Sequence, residues 1–282
     1  MKQIYLRPRG GGRSSLRSDT LFGLITWGVR EVYGAASVER FLAPIRREPP
    51  EAPLTITSAF PFIENSGERV HFFPRPLGEG CADPGSRSRW IEDRELLAFV
   101  TGHPLAEEPR DGARSSAPFT AGGCFFLASG PSEHYLEAAL GFLERFGFGG
   151  GGSHGQGAFD VELRDAEFLR LSHPGELSLL LSLYSPAAAE RERIVARARE
   201  PESPVRYGVE RRQGVAGGRL GGFQKPFKRA VAMMTEGSVL PCGGTGSCGQ
   251  TTEVGRSSED GGGHLLLQHG FGFFVPIAGA TQ

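Results

Sequence analysis

Between Gly147 and Gly157 the chain reads Gly-Phe-Gly-Gly-Gly-Gly-Ser-His-Gly-Gln-Gly, seven glycines with Ser153 and His154 among them. Backbone without Cβ atoms approaches a ligand closely and turns its N–H groups toward an anion. Three other readings compete for the run. Gly147–Gly152 fits the dinucleotide pattern G-x-G-x-x-G, which needs a strand before it and a helix after it. Here a helical pattern precedes and a strand pattern follows, so the context is reversed. Gly151–Gly155 fits G-x-S-x-G, which would make Ser153 the nucleophile of a serine hydrolase, but that chemistry also needs strand-turn-helix order. A flexible linker is the third reading, opposed by the run's position inside what reads as one folded unit. A Walker lysine is missing, because none of Lys2, Lys225 and Lys228 follows a glycine. A second G-x-G-x-x-G, Gly244–Gly249, has no helical pattern after it and reads as coincidence.

The cations are distributed unevenly. The net charge is −1, so there is no bulk attraction to nucleic acid. Yet residues 1–30 hold six basic side chains against Asp19, and residues 206–229 hold seven against Glu210. Local stripes of this kind are the footprint of a protein that grips a polyanion at one place. A preference for arginine, 28 against three lysines, reflects codon composition, but it does not explain why acids avoid these two segments. The histidines are dispersed, none precedes His71, and no H-x₃-H or H-E-x-x-H spacing occurs. Of the four cysteines only Cys242 and Cys248 lie close together, without the short spacing of a zinc site. They read as reduced thiols. No metal and no cofactor is expected.

The elements that would position these groups follow from periodicity. Lys2–Arg7 reads as a short alternating strand, and residues 8–17 as a loop. Ser18 is the expected N-cap of a helix with Leu21, Ile25, Val29 and Val32 on one face, stopped at Gly34. Leu54–Phe62 and Val70–Phe73 read as strands joined at Asn65-Ser66-Gly67, and Phe119–Leu127 as another. Ser132 is the expected cap of a helix carrying Leu136, Leu140, Leu143 and Phe146. After the glycine run, Ala158–Leu163 alternates as a strand. Without the elements between 74 and 128, this is β-α-β-β-α-β, the ferredoxin-like order that RNA-recognition folds share. A second unit reads as a strand at Leu179–Tyr184, a helix at Ala187–Glu200 and strands near Val205–Arg211, Ala230–Met234 and His264–Val275. Residues 241–263 read as a mobile loop. The expected class is α+β: two ferredoxin-like (βαββαβ, RRM-like) domains with loop insertions, 1–175 and 176–282. No apolar run approaches the ~18 residues of a membrane span, and the N-terminus has no signal-peptide core. A cytoplasmic protein with no membrane contact is expected.

Six blocks carry a family resemblance. Ser18-Asp19-Thr20-Leu21-Phe22-Gly23, Ser58-Ala59-Phe60-Pro61-Phe62 and Phe72-Phe73-Pro74-Arg75-Pro76 resemble signature blocks of the CRISPR RAMP proteins. In the second half Leu181-Ser182-Leu183-Tyr184, Glu236-Gly237-Ser238-Val239 and Gly270-Phe271-Gly272-Phe273 resemble, within that superfamily, the fourth-subunit family of the type III-A Csm effector complex. The glycine run takes the place of that family's G-rich loop. The resemblance implies an RNA-binding scaffold that holds the 5′ handle of crRNA and contacts the large polymerase-like Csm subunit and the adjacent backbone RAMP subunit in antiviral defence. Family members that process crRNA use an early histidine; this chain has none there, so a non-catalytic role is expected, with a crRNA-processing endoribonuclease as the alternative.

The expected RNA-binding set follows from these loops and stripes. Arg7, Arg13 and Arg17, with Ser14, Ser15 and Ser18, would meet handle phosphates at the first loop and a helix N-terminus. The backbone of Gly149, Gly150, Gly151, Gly152 and Gly155, with Ser153 and His154, would pack against RNA. Arg219, Lys225, Lys228 and Arg229 would extend the basic track. Phe72, Phe73 and Arg75 complete the set; neighbours on a strand face opposite ways, so one phenylalanine stacks on a base while the other fills the core.

Overall fold

The computed structural model describes residues 1–9, 16–65, 67–78, 89–105, 122–147, 157–166, 175–214, 228–242, 247–256 and 265–278. The first part of the chain runs β1 (Lys2–Pro8), α1 (Ser18–Tyr33), α2 (Ala35–Leu42), β2 (Thr55–Ile56), β3 (Phe60–Asn65) and β4 (Glu68–Pro74). It continues with β5 (Trp90–Glu92), α3 (Asp93–Val100), β6 (Gly123–Ser129), α4 (Leu136–Phe146) and β7 (Phe159–Asp165). These strands form an antiparallel sheet in the order β5-β4-β3-β6-β1-β7, with β2 also on β6. The connection from β1 through α1 to β3 passes over β6, and that from β6 through α4 to β7 passes over β1. Both helices therefore lie on one face of the sheet.

This topology explains why β1 does not alternate between buried and exposed positions as its sequence suggests. It is flanked by β6 and β7, and Gln3, Ile4, Tyr5 and Leu6 are all buried. Ile4 and Leu6 pack under α1 and α4 with Leu21, Ile25, Val29, Leu136, Leu140 and Leu143. Tyr5 faces the opposite layer. The outer ends of both helical faces are free of the core: Val32 is 42% and Phe146 71% exposed.

The second part runs β8 (Leu177–Leu180), α5 (Ala188–Ala198), β9 (Val209–Arg212), β10 (Val231–Met234) and β11 (Val239–Leu240), then β12 (Thr252–Arg256), β13 (Leu265–Gln268) and β14 (Phe274–Ile277). A small antiparallel sheet has the order β11-β8-β14, and β9-β10 and β12-β13 form two ribbons. The strand expected over His264–Val275 is divided, because Gly270 packs against Ser185 and Gln250 too closely for a Cβ atom. The mobile loop expected at 241–263 needs correction. Thr252–Arg256 is a strand paired with β13, and Cys242 and Val254 are buried. Its glycine-rich composition masked a ribbon whose partner lies past the loop. Among the described residues α5 is the one helix of this part, and the β12-β13 ribbon stands between β11 and β14 where a second helix would be expected.

The large sheet's second face is not open to solvent. Tyr5, Phe60, Phe62, Phe73, Phe125 and Leu127 pack on Leu179, Leu181, Val239, Phe273 and Val275, with Leu96 and Val100 of α3 beside them. The two parts thus share one apolar layer. The expected single strand Leu54–Phe62 is also broken for this reason. At Ser58 the backbone leaves β6 and donates its N–H to Leu181 O at 3.0 Å, while Ala59 N–H donates to Leu16 O at 2.7 Å.

The two helices over the sheet cross at a glycine. A Cβ on Gly28 would lie 2.7 Å from the Ala139 carbonyl oxygen and 2.9 Å from its Cβ, whereas Gly23 on the same helix faces open space. Gly28→Ala is expected to destabilise the chain by roughly 2 kcal/mol through overpacking. Gly23→Ala is expected to stabilise it by up to about 1 kcal/mol through helix propensity. Urea unfolding of the two variants checks both signs.

Candidate nucleic-acid interface

The segments expected to touch RNA spring from one end of the molecule. The loop after β1 and the glycine run before β7 have adjoining roots, because Pro8 pairs with Phe159 and Arg9 N–H donates to Ala158 O at 2.9 Å. The run is closed at its base by two glycines in left-handed conformations, Gly147 (φ 69) and Gly157 (φ 85). A Cβ on Gly147 would come within 3.0 Å of Gly157 O. The third segment leaves the β9-β10 ribbon at Gly214 and returns at Lys228, whose N–H donates to Gly214 O at 2.9 Å. That ribbon is tied to the start of α1 through Arg212 and Asp19. Arg13, Ser14, Ser15, Gly149 to Gly152, Ser153, His154, Gly155, Arg219 and Lys225 lie outside the described residues.

The described members of the expected set divide by environment. Phe73 is fully buried between Phe60 and Phe125, so the core claims it, while Phe72 is half-buried beside β5. Arg75 lies half-buried past the end of β4. Arg229 is exposed, with its guanidinium donating to Glu253 O at 2.6 Å. Burial holds the Lys228 ammonium below the usual lysine range. Arg7 is ion-paired with Glu64 at 2.9 Å and Glu162 at 3.0 Å. The density of cations in residues 1–30 is therefore partly cancelled in space. Lys2 meets Asp165, Arg9 meets Asp160, and these acids all come from distant parts of the sequence.

Arg17 and Ser18 require a larger correction. Ser18 is fully buried at the first turn of α1. Its Oγ accepts the Leu183 N–H at 2.9 Å, and its own N–H donates to Ser58 Oγ at 3.0 Å. The helix is therefore capped by Ser58 from the β2–β3 connection and not by its own serine. Arg17 is 13% exposed; its Nε and Nη2 donate to the two oxygens of Glu236 at 2.8 and 2.5 Å, and its Nη1 to Glu210 at 3.1 Å. Ser58 also donates to Glu236. Asp19, next in sequence, accepts from Arg212 at 3.2 Å and from Gln268 Nε2 at 2.5 Å. Four of the six motif blocks thus meet in a polar junction that binds the two parts together, and neither Arg17 nor Ser18 faces outward. Sequence reasoning missed Glu236, Glu210 and Arg212 as members; the signal was an isolated acid inside each basic or motif block.

A second polar chain lies across the first sheet. Tyr5 OH and His71 Nε2 are 2.8 Å apart, and His71 Nδ1 is 3.1 Å from Asp93 Oδ2. The Arg69 guanidinium lies 4.3 Å from the Tyr5 ring centroid and binds Glu162 at 2.8 Å. Hydrogen bonds from Arg69, then from Arg164 and Arg7, hold the Glu162 carboxyl down at about 2. Phenol, imidazole and carboxylate in a row resemble a proton relay, but Tyr5 is 3% exposed and burial raises its phenol, so the phenol end of the row is closed to a substrate. Among the described residues no three His, Cys, Asp or Glu side chains group as metal ligands, and no helix is long and apolar enough to cross a membrane.

No family model matches the chain. The Csm4 protein of the CRISPR system of Thermococcus onnurineus (strain NA1) is 25% identical over 280 residues, covering 84% of this chain and 86% of that one. Among solved structures, a chain of the Csm1–Csm4 cassette in complex with cA3 aligns over 98% of this chain and 97% of its own, at TM-score 0.56 and 20% identity. A chain of the Csm3–Csm4 subcomplex in the type III-A CRISPR-Cas interference complex aligns over 98% and 99%, at TM-score 0.61 and 17% identity. Antiparallel sheets with helices packed on them define an α+β protein whose fold is that of these solved chains. In sequence it is similar to the Csm4 protein, at 25% identity.

Two expectations follow from the junction. Arg17→Ala leaves Glu236, itself 9% exposed, without its partner and is expected to cost roughly 3 kcal/mol. Pairing it with Glu236→Leu is expected to recover part of that loss in the same thermal melts. The second concerns His269, which stacks on Phe22 at 4.1 Å and has one nitrogen on Leu54 O at 3.2 Å and the other without a partner among the described residues. Burial pushes it down to about 4. The unfolded chain takes up this proton near the ordinary 6.5. Stability is therefore full above that pH and falls as pH drops toward 4, by up to about 3 kcal/mol from this group. His269→Gln should flatten that part of the stability–pH curve, measured by denaturant unfolding at several pH values.

Proposed function

We propose that this chain is a scaffold subunit of a type III-A CRISPR–Cas (Csm) interference complex, acting in the cytoplasm in antiviral defence. It holds the 5′ handle of crRNA and joins the large polymerase-like subunit to the adjacent backbone RAMP subunit, without cutting RNA. The observation that carries this reading is the alignment of 98% of the chain with chains from both a Csm1–Csm4 and a Csm3–Csm4 assembly. In this reading the chain has two ferredoxin-like, RRM-like units, 1–175 and 176–282. The spatial order β3-β6-β1-β7 with α1 and α4 on one face supports the first. The order β11-β8-β14 with α5 supports a second whose other helix is replaced by a ribbon.

An RRM stacks bases on its open sheet. Here that face is filled by the second part, so RNA is held at the rim by loops. Arg13, Ser14 and Ser15 of the first loop, the backbone of the glycine run with Ser153 and His154, and Arg219 and Lys225 of the ribbon loop form the grip. Exposed Arg229 extends it. Arg17 contributes by fixing the loop roots relative to one another.

The reading is tested by purifying a tagged chain from its native host. Intact-handle crRNA, a polymerase-like large subunit and a backbone RAMP are the expected companions; their absence overturns it. With pure protein, joint Arg13→Ala, Arg219→Ala and Lys225→Ala substitution is expected to weaken handle binding. It should flatten the log–log salt dependence by roughly 0.7 per lost phosphate contact, with the melting temperature unchanged. Repeat-RNA cleavage abolished by one point substitution would instead identify a processing endoribonuclease.

A further inference from the structure

A row of aromatic rings on the outer side of the helix pair is used by none of the above. Trp27 of α1 meets Phe142 of α4 edge-on at 5.2 Å, and Phe142 stacks on Phe146 at 4.5 Å and 27°. Trp27 and Phe142 are half-buried, whereas Phe146 is 71% exposed. Phe146 is the last residue of α4 and stands directly before Gly147, the root of the glycine run. The two helices run antiparallel, because Trp27 meets Phe142 while Tyr33 meets Tyr135. Gly23, one turn back from Trp27, therefore lies across from Phe146, one turn on from Phe142. A Cβ on Gly23 would meet no atom within 4 Å, so the ground beside the exposed ring is unfilled. The uncommitted charge at this end of α4 is positive. Glu144 accepts the Val161 N–H at 2.9 Å and lies 3.8 Å from Arg9, and Glu31 accepts the Trp27 indole N–H at 3.2 Å. Arg145 is exposed and has no acidic partner among the described residues.

We propose that Phe146 is a stacking platform for one unpaired RNA base, which lies over its ring beside Gly23 while Arg145 meets an adjoining phosphate. The site rests on the reading of the chain as an RNA-binding subunit and adds to it a base contact on a helix, outside the loops. Size and charge select a base over a protein partner. The other exposed apolar groups of the pair, Val32 and Tyr33, lie at its opposite end. One exposed ring is far smaller than the roughly 800 Å² that each side of a standard protein interface contributes, but it matches one base. A free guanidinium next to it suits the phosphate that accompanies every base. Phe142 and Trp27 hold the platform from behind by face and edge contacts, so little of its freedom remains to be lost on binding. Every base has a π face, so such a platform sets the register of the strand without reading its sequence.

The experiment uses the whole chain and single-stranded repeat RNA carrying 5-iodouridine at each position in turn. Irradiation joins this base to an aromatic ring stacked on it. At one RNA position an adduct is expected on the tryptic peptide Phe146–Arg164, and fragmentation should locate it at Phe146. Phe146→Ala is expected to abolish the adduct and weaken binding roughly 5- to 140-fold, with the salt dependence and melting temperature unchanged. Phe146→Trp, which keeps a platform, should bind as the wild type. Gly23→Leu, which fills the ground beside the ring, should weaken binding with Phe146 in place. Arg145→Ala should lower the log–log salt slope by about 0.7. If the adduct falls elsewhere in that peptide, or Phe146→Ala binds as tightly as the wild type, this proposal is overturned and the RNA-binding reading stands. If the wild-type chain binds no repeat RNA, that reading falls and this one with it. If Phe146→Ala keeps its RNA but loses a companion protein on copurification, the ring is a protein contact and the proposal is overturned.

Discussion

The bidentate ion pair between Arg17 and Glu236 is the constraint on which the joining of the two parts depends. It fixes the first turn of α1 to the turn between β10 and β11, and Glu236 also receives Ser58 from the first sheet. Both charges are largely shielded from water, so neither tolerates a missing partner. Around it Ser18, Asp19, Arg212 and Gln268 complete a polar seam in which side chains from both parts satisfy each other's buried groups. The seam thus holds the end of the loop that follows β1, and through Arg212 the β9-β10 ribbon, against the start of α1.

The seam also shows how a linear count of charge misleads. Counted along the chain, residues 1–30 are strongly basic; in space Lys2, Arg7, Arg9 and Arg17 are matched by Asp165, Glu64, Asp160 and Glu236. The attraction of these four cations for a polyanion is reduced accordingly. A stripe in sequence identifies where such cations cluster, not how many remain uncompensated.

Much of the first part was legible. The 3.6-residue spacing of Leu21, Ile25 and Val29 and of Leu136, Leu140 and Leu143 marks both helices, and all six side chains are buried. Strand boundaries were less legible where tertiary contacts redirect the backbone. Thr57, Ser58 and Ala59 have strand-forming neighbours, yet their N–H groups go to Leu127, Leu181 and Leu16. Nothing local announces three partners from different elements. The β12 strand was hidden for the opposite reason: its composition is that of a loop, and its pairing with β13 supplies the order. The motif blocks were recognisable as a set, but their resemblance to an RNA-binding family drew attention from their structural task. Ser18, Glu236 and Phe73 are motif residues with structural tasks, the first two in the seam and the third in the core.

The apolar layer shared by the two parts has a consequence for anyone who would dissect the molecule. Division at 175/176 would bare Tyr5, Phe60, Phe62, Phe73 and Phe125 on one fragment and Leu179, Leu181, Val239, Phe273 and Val275 on the other. Each fragment would carry a contiguous greasy face with no counterpart, the usual source of aggregation. The halves are therefore not portable modules that can be transplanted or exchanged between relatives. Evolutionary recombination at this boundary is penalised in the same way, and the two halves are bound to diverge as a matched pair.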